Sequence, residues 1–488
     1  MFDVATMQIS RLLPEMILIG VALAAILVDV MLPKGKSTRG VQWTVIIGLI
    51  VVLASTFFNR ENTGPAFGGM VVIDGFTMFF RLVLTFITLL IVTVSETYLG
   101  SLNIRIAEYY LLLVFSLFGM LLMAMAQDLL IVFLGIETMS VCLYALVGMS
   151  RHKHASNEGA IKYFLLGSFT TAFFVYGIAL MFGVVGSTNI VDIMVYLSGV
   201  SGNVPMLAWA SAGLILVAFA FKAALVPFHW WSPDAYEGAP TTVTAFMSTA
   251  PKAAAFAAFL RVFYVAFGDM SETWTTVLWV IAAITMTFGN LLALRQDSVK
   301  RMLAFSSITH AGYLAVALLT FDQMGAAAIL FYLMIYALMN IGAFLVAIAV
   351  NRNENDEKGY AFEDYRGLVF RKPAMALAML VFMLALAGIP PTAGFFGKYY
   401  IFSAAVKSGF VGLAVIGVLN SAVSVYYYLR LIVFMFLKDR DEASETPGFN
   451  LSGEMVPIVI FCVILVLLIG FFPDALLAVA TRSVTVLL

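Results

Sequence analysis

About fourteen stretches of this chain are long and apolar enough to cross the roughly 30 Å hydrocarbon core of a bilayer. They lie near residues 12–32, 42–58, 76–95, 108–126, 128–149, 159–185, 205–229, 240–267, 274–294, 302–320, 324–350, 373–405, 409–437 and 455–473. Inside lipid every backbone N–H and C=O must be satisfied within the protein. The expected fold is therefore an all-α polytopic membrane protein. Composition agrees: 62% of the 488 residues are hydrophobic and 11% are charged, where a soluble chain carries about a quarter charged residues. The first stretch has no basic leader and no small-residue cleavage site, so it reads as a retained span.

Charge orients the spans. Odd-numbered connections, from Lys34 to Arg440, hold sixteen of the 27 Lys and Arg residues, and even-numbered ones hold Arg60 and Lys407. The positive-inside rule then places both termini outside and the odd connections in the cytoplasm. Arg11 and Arg482 lie near the ends, which leaves Arg81, Lys162, Lys222, Lys252, Arg261, Lys398 and Arg430 within spans.

A charge at the bilayer centre costs about 2.5–3.5 kcal/mol even on a lenient scale. Arg81, Arg261 and Arg430 lie within about two turns of a span end and are expected to snorkel to the interface, as are Glu15 and Asp29. Lys162, near the start of the sixth span, fits snorkelling or function equally. Glu137, Lys222, Lys252 and Lys398 lie deeper. They read either as buried ion pairs that hold helices together or as a proton relay. A buried lysine whose carboxylate partner comes and goes can load and release a proton. Glu137 is the deep carboxylate available. His310, in FSSITHAGYLA, reads either as a hydrogen-bonded core residue or as a link between half-paths.

Two spans are interrupted. The seventh carries FKAALVPFHWWSPDAYEGAP, with Pro227 five residues after Lys222; the twelfth carries LAGIPPTAGFFGKYY, with Pro390 and Pro391 before Lys398. Proline removes a backbone donor and disfavours helix in the residue before it. Broken helices beside ionisable groups are characteristic of transporters built from inverted repeats. The breaks are five spans apart, and a five-span repeat returns upside down. The expected organisation is one transmembrane domain. Residues 1–100 form helices 1–3, 108–267 a first repeat (helices 4–8), 274–437 a second (helices 9–13), and 455–488 helix 14 and the C-terminus.

Other functions have little support. Net charge is −1, which offers no field for nucleic acid. The two cysteines, Cys142 and Cys462, lie in separate apolar runs without a C-x-x-C pattern, against an iron–sulfur cluster, zinc site or disulfide framework. P-loop and dinucleotide-binding glycine motifs are missing.

Four segments carry a resemblance that spans nearly the whole chain: FLGIETMS, FKAALVPFHWWSPDAYEGAPTTVTAF, SVKRMLAFSSITHAGY and LAGIPPTAGFFGKYY. In them the sequence resembles the antiporter-like membrane subunits of the proton-pumping NADH:quinone oxidoreductase, respiratory complex I, and its subunit N family in particular. The resemblance implies fourteen helices with the seventh and twelfth discontinuous. It implies that Glu137 on helix 5 pairs with Lys222 on helix 7, and that Lys252 on helix 8 is central. Lys398 on helix 12 would be terminal, and Lys162 on helix 6 part of the relay. It further implies a bacterial inner-membrane location and other membrane-arm subunits as partners. NADH, FMN, iron–sulfur clusters and quinone would be handled by those other subunits. The alternatives are a subunit of a multi-subunit cation/proton antiporter and a non-conducting membrane-arm spacer.

Overall fold

The computed structural model describes residues 7–32, 37–102, 104, 106–200, 203–350, 360–439 and 454–487. Six of the loop cations used above, Lys34, Lys36, Arg105, Arg352, Lys358 and Arg440, lie outside them. The first six expected spans are α1 (Leu13–Met31), α2 (Arg39–Phe58), α3 (Gly75–Ser101), α4 (Glu108–Met125), α5 (Leu129–Val147) and α6 (His154–Val185). A short antiparallel hairpin, β1 (Gly64–Ala66) with β2 (Val71–Ile73), fills the second connection. The α4–α5 boundary, marked in sequence by only Gln127 and Asp128, is set by a cap. The Asp128 carboxylate accepts from Leu130 N at 2.8 Å, satisfying a donor that the first helical turn leaves free.

A short helix, α7 (Ile190–Gly199), comes next and was not foreseen. The seventh span is α8 (Met206–Ala223) followed by α9 (Trp231–Gly238). The eighth is split into α10 (Thr241–Met247) and α11 (Ala250–Arg261). That interruption also escaped the sequence reading, and its cause is Pro251. Proline has no N–H for the carbonyl four residues earlier, and the Met247 carbonyl accepts from Tyr236 Oη at 3.2 Å instead. Then follow α12 (Ser271–Leu294), α13 (Val299–Leu318) and α14 (Gln323–Val350). The twelfth span is α15 (Pro373–Ala387) plus α16 (Ala393–Lys407), and the thirteenth is α17 (Val411–Leu437). Last come α18 (Met455–Phe471) and α19 (Pro473–Val484), bent by 85° at their junction.

Among the described residues eleven helices are long and apolar enough to span, or twelve with the bent pair. The remaining two expected spans are the broken twelfth and α13, which is of spanning length but rich in Ser, Thr, His, Lys and Arg. Every residue of α11 is buried, as is almost all of α14, so these sit at the centre with α13. The outer helices α1, α2, α6, α12 and α17 present exposed Leu, Ile, Val and Phe, as lipid-facing helices do.

The two halves share backbone devices. Leu129 N donates to Thr188 O and Ile190 N to Gln127 O, both at 2.9 Å; Val299 N donates to Tyr360 O at 2.7 Å and Phe362 N to Asp297 O at 3.1 Å. Each pair fastens the start of a span to the connection two spans on. Both breaks also begin alike. Ala224 (φ 59°) and Gly388 (φ 82°) turn left-handed. Leu225 N reaches back to Ala220 O at 2.8 Å, and Ile389 N to Leu384 O at 3.0 Å, the pattern of a Schellman stop.

Three expected snorkelling groups are instead buried and paired. Arg81 Nε and Nη2 donate to Glu15 at 2.7 Å each, tying α3 to α1. Arg261 donates to both Asp74 oxygens, at 2.9 and 3.0 Å. Arg430 does reach a boundary, pairing at 2.9 Å with Asp297, which is 90% exposed. Asp29 is exposed at the end of α1. A guanidinium fork matched to a carboxylate lowers the charge cost more than stretching to the interface would.

Close backbone contact holds the twelfth span together. A Cβ on Gly394 would collide with the Ala385 carbonyl and lie 3.2 Å from Met339 Sδ. Gly394→Ala should therefore cost about 1–3 kcal/mol, read as a lower thermal midpoint and less assembled complex on a native gel.

Candidate functional site

The buried cations sit where the helix breaks end. Lys222 lies in the last turn of α8, and Lys398 reaches back to the last carbonyl of α15, with Nζ 2.9 Å from Ala387 O. A helix C-terminus carries roughly half a negative charge on its unsatisfied carbonyls. Breaking a span therefore places that end inside the membrane, where an ammonium can use it. The prolines and the left-handed residues make the break, and the break makes the cation site.

Each deep lysine is held by neutral groups. Lys222, 6% exposed, donates to Ser140 Oγ at 2.7 Å, with the Tyr144 ring centroid 5.9 Å away. Lys252, 2% exposed, donates to Ser307 O at 2.6 Å and also to Ser307 Oγ. Lys398, 5% exposed, donates to Ser421 Oγ at 2.8 Å, 5.2 Å from the Tyr313 ring centroid.

The expected Glu137–Lys222 ion pair is not formed. Glu137 is half-buried and accepts from Thr171 Oγ1 at 2.6 Å, while Ser140, one turn further along α5, takes the lysine. The carboxylate is an electrostatic neighbour of Lys222 and not its hydrogen-bond partner. Lys162 stands apart from the deep lysines. Its side chain is 43% exposed and pairs with Glu158 at 2.7 Å and Asp234 at 2.6 Å.

His310 joins the second half. Its Nδ1 lies 2.5 Å from Tyr332 Oη and its Nε2 3.0 Å from Tyr428 Oη, and Tyr428 is bonded in turn to Ser306. Ser307, His310 and Tyr313 follow at intervals of three on α13, hence on one face. That face meets Lys252 at one end and Lys398 at the other, over about 9 Å of helix. The Tyr236 hydroxyl donates to Met247 O at 3.2 Å, at the break between α10 and α11. Several buried polar atoms here, including both ring nitrogens of His229, Ser232 Oγ and the hydroxyls of Tyr144, Tyr313 and Tyr336, lack a protein partner. Groups of this kind are ordinarily satisfied by internal water.

The holding residues Ser140, Ser307 and Ser421 and the tyrosines were not singled out in sequence. A usable signal existed for two of them: Ser140 follows Glu137 by three residues, and Ser307 precedes His310 by three. Among the described residues no group of three His, Cys, Asp or Glu side chains converges in a way that could hold a metal ion.

Buried cations at helix breaks, inside repeated five-helix halves, define an antiporter-like polytopic membrane subunit. The family described as NADH:quinone oxidoreductase/Mrp antiporter, TM, matches residues 126–424. NADH-quinone oxidoreductase subunit N of Trichlorobacter lovleyi is 44% identical over 98% of this chain and 97% of its own length, and that of Chloroflexus aggregans is 41% identical over 98% of each. A chain of respiratory complex I from Thermus thermophilus, solved with bound aureothin, superposes with a TM-score of 0.80 at 36% identity, covering 96% of this chain and all of that one. A chain of the Mrp complex from Dietzia superposes with a TM-score of 0.83 at 21% identity, covering 96% of this chain and 97% of that one, a likeness of fold alone. The chain belongs to the NADH-quinone oxidoreductase subunit N family.

Proposed function

We propose that this subunit moves protons across the bacterial inner membrane, driven by electron transfer from NADH to quinone in other subunits of the complex. FMN and the iron–sulfur clusters belong to those subunits, and both termini lie on the periplasmic side. Residues 108–267 and 274–437 are the two half-paths. The relay runs from Glu137 through Lys222 and Lys252, then along His310 to Lys398. Lys162 serves at the rim, through its ion pairs.

One observation carries this reading. Lys222, Lys252 and Lys398 are deeply buried, yet each is held by hydroxyls and carbonyls and not by a carboxylate. A lysine kept only to hold helices together would be matched with a counter-charge, as Arg81 and Arg261 are. A hydroxyl accepts from an ammonium and donates to a neutral amine, so it serves both protonation states. Movement of Glu137 toward or away from Lys222 would then set when that lysine holds its proton.

The test is the Glu137→Ala, Lys222→Ala double variant, purified as the assembled complex and reconstituted in vesicles. NADH-driven acidification should fall by roughly a hundredfold while assembly is retained. Normal pumping by the assembled variant would refute the relay.

A further inference from the structure

A cavity of about 830 Å³ opens sideways between α16 and α17. Its walls are mostly hydrocarbon, from residues such as Val415 and Leu419, both about half exposed or more. Lys398 and Ser421 line the inner wall, and Lys407 stands at the far end. A second cavity of about 370 Å³ adjoins it and shares Tyr399, Ser403 and Lys407, adding Gln323 and Thr481. The joint space is polar and cationic where the two cavities meet, at Lys407, Ser403 and Tyr399; Lys398 and Ser421 add polar side chains to the inner wall of the first cavity, whose outer walls are apolar. Lys407 and Lys398 are nine residues apart on one helix, roughly 13 Å.

Two further facts bear on the occupant. Lys407 and Arg60 are the only Lys or Arg residues in the even-numbered connections, where topology selects against basic residues. Among the described residues, Lys407 meets no carboxylate within ion-pair distance, whereas Lys162, Arg301 and Arg430 all do. A lone cation flanked by hydroxyls, with an apolar trough leading away from it, complements an anionic headgroup with a long hydrocarbon tail.

We propose that the two cavities hold a phospholipid, with its phosphate on Lys407 and Ser403 and one acyl chain lying between α16 and α17 as far as the wall behind Lys398. The amine of Lys398 is already bonded to Ala387 O and Ser421 Oγ, which line the same cavity, so the phosphate is assigned to Lys407 and not to Lys398. The lipid is then a structural wall of the subunit. This goes beyond the proton reading and does not depend on it.

The experiment places p-benzoylphenylalanine at position 415, and separately at 419, in the complete complex within native membranes. After irradiation the α17 peptide is examined by mass spectrometry. A phospholipid adduct is expected at one or both positions. Lys407→Glu should lower its yield at least about fivefold, the effect of one lysine at a membrane surface. Three results would overturn the proposal: an adduct to a peptide of another subunit, an unchanged lipid yield in Lys407→Glu, or no adduct at either position.

Discussion

Replacing Lys252 with methionine should leave the complex assembled and reduce NADH-driven proton pumping by about two orders of magnitude or more. Lys252 is 2% exposed and its ammonium is bonded only to Ser307. Methionine has a similar length and adaptable shape, so packing against α13 survives. No carboxylate bonds this lysine, so the change strands no buried counter-charge. Native gels and thermal unfolding check assembly, and dye quenching in vesicles checks pumping. Ser307→Ala should produce a smaller loss, because the Ser307 carbonyl still receives the ammonium. A Lys252→Met complex that pumps normally would remove this residue from the path.

Arg261→Ala should act on stability, at about 3–5 kcal/mol. Arg261 holds Asp74 with two bonds, and also donates to Ala124 O at 3.2 Å and Thr77 Oγ1 at 3.1 Å. Truncation leaves the Asp74 carboxylate half-capped by Thr77 N and otherwise stranded. Burial alone would push the Asp74 carboxyl up, but Arg261 and the hydrogen bonds from Thr77 together outweigh it and hold it below the ordinary aspartate value of 3.8. The lowered value sets the sign: the pair's contribution is fully present above the ordinary value and is lost as pH falls through the lower folded one. The gap between wild type and Arg261→Ala should therefore stay constant from about pH 7 to 5 and close only below about pH 4. Thermal unfolding across that series measures it. A gap that closed above pH 5 would mean the pair is not the source.

Much of the fold was legible because lipid leaves the chain few options. Long apolar runs fixed the helices. Pro227, Pro390 and Pro391 marked two breaks, and the deep lysines marked the polar line. Local rules carried those readings. What escaped needed knowledge of contacts distant in sequence. Arg81 and Glu15 are 66 residues apart, and Arg261 and Asp74 are 187 apart, so span position alone suggested snorkelling. Pro251 interrupts a helix as the other prolines do, but it sits among alanines that propagate helix well, and the interruption was overlooked. Glu137 illustrates a different limit. Its depth was correctly read, yet one turn of α5 separates the carboxylate from the hydroxyl that actually holds Lys222, and spacing along a helix does not say which side chain a distant lysine will choose. The hydroxyls were missed because Ser inside membrane helices mostly bonds its own backbone, and Tyr carries a large apolar ring that reads as packing.

The start of α13 is fastened across the two halves. Lys300 Nζ donates to Glu237 O at 3.1 Å and Ala239 O at 2.6 Å, at the end of α9, and Arg301 pairs with Glu237 beside it. Lys300 and Tyr313 lie on one uninterrupted helix, about 20 Å apart at helical rise. Mechanically, α13 is a rod pinned at one end to the short second half of a broken span, and it carries Ser307, His310 and Tyr313 along its length. Any displacement of α9 along that axis would reach the neighbours of Lys252 and of Lys398 through the same helix.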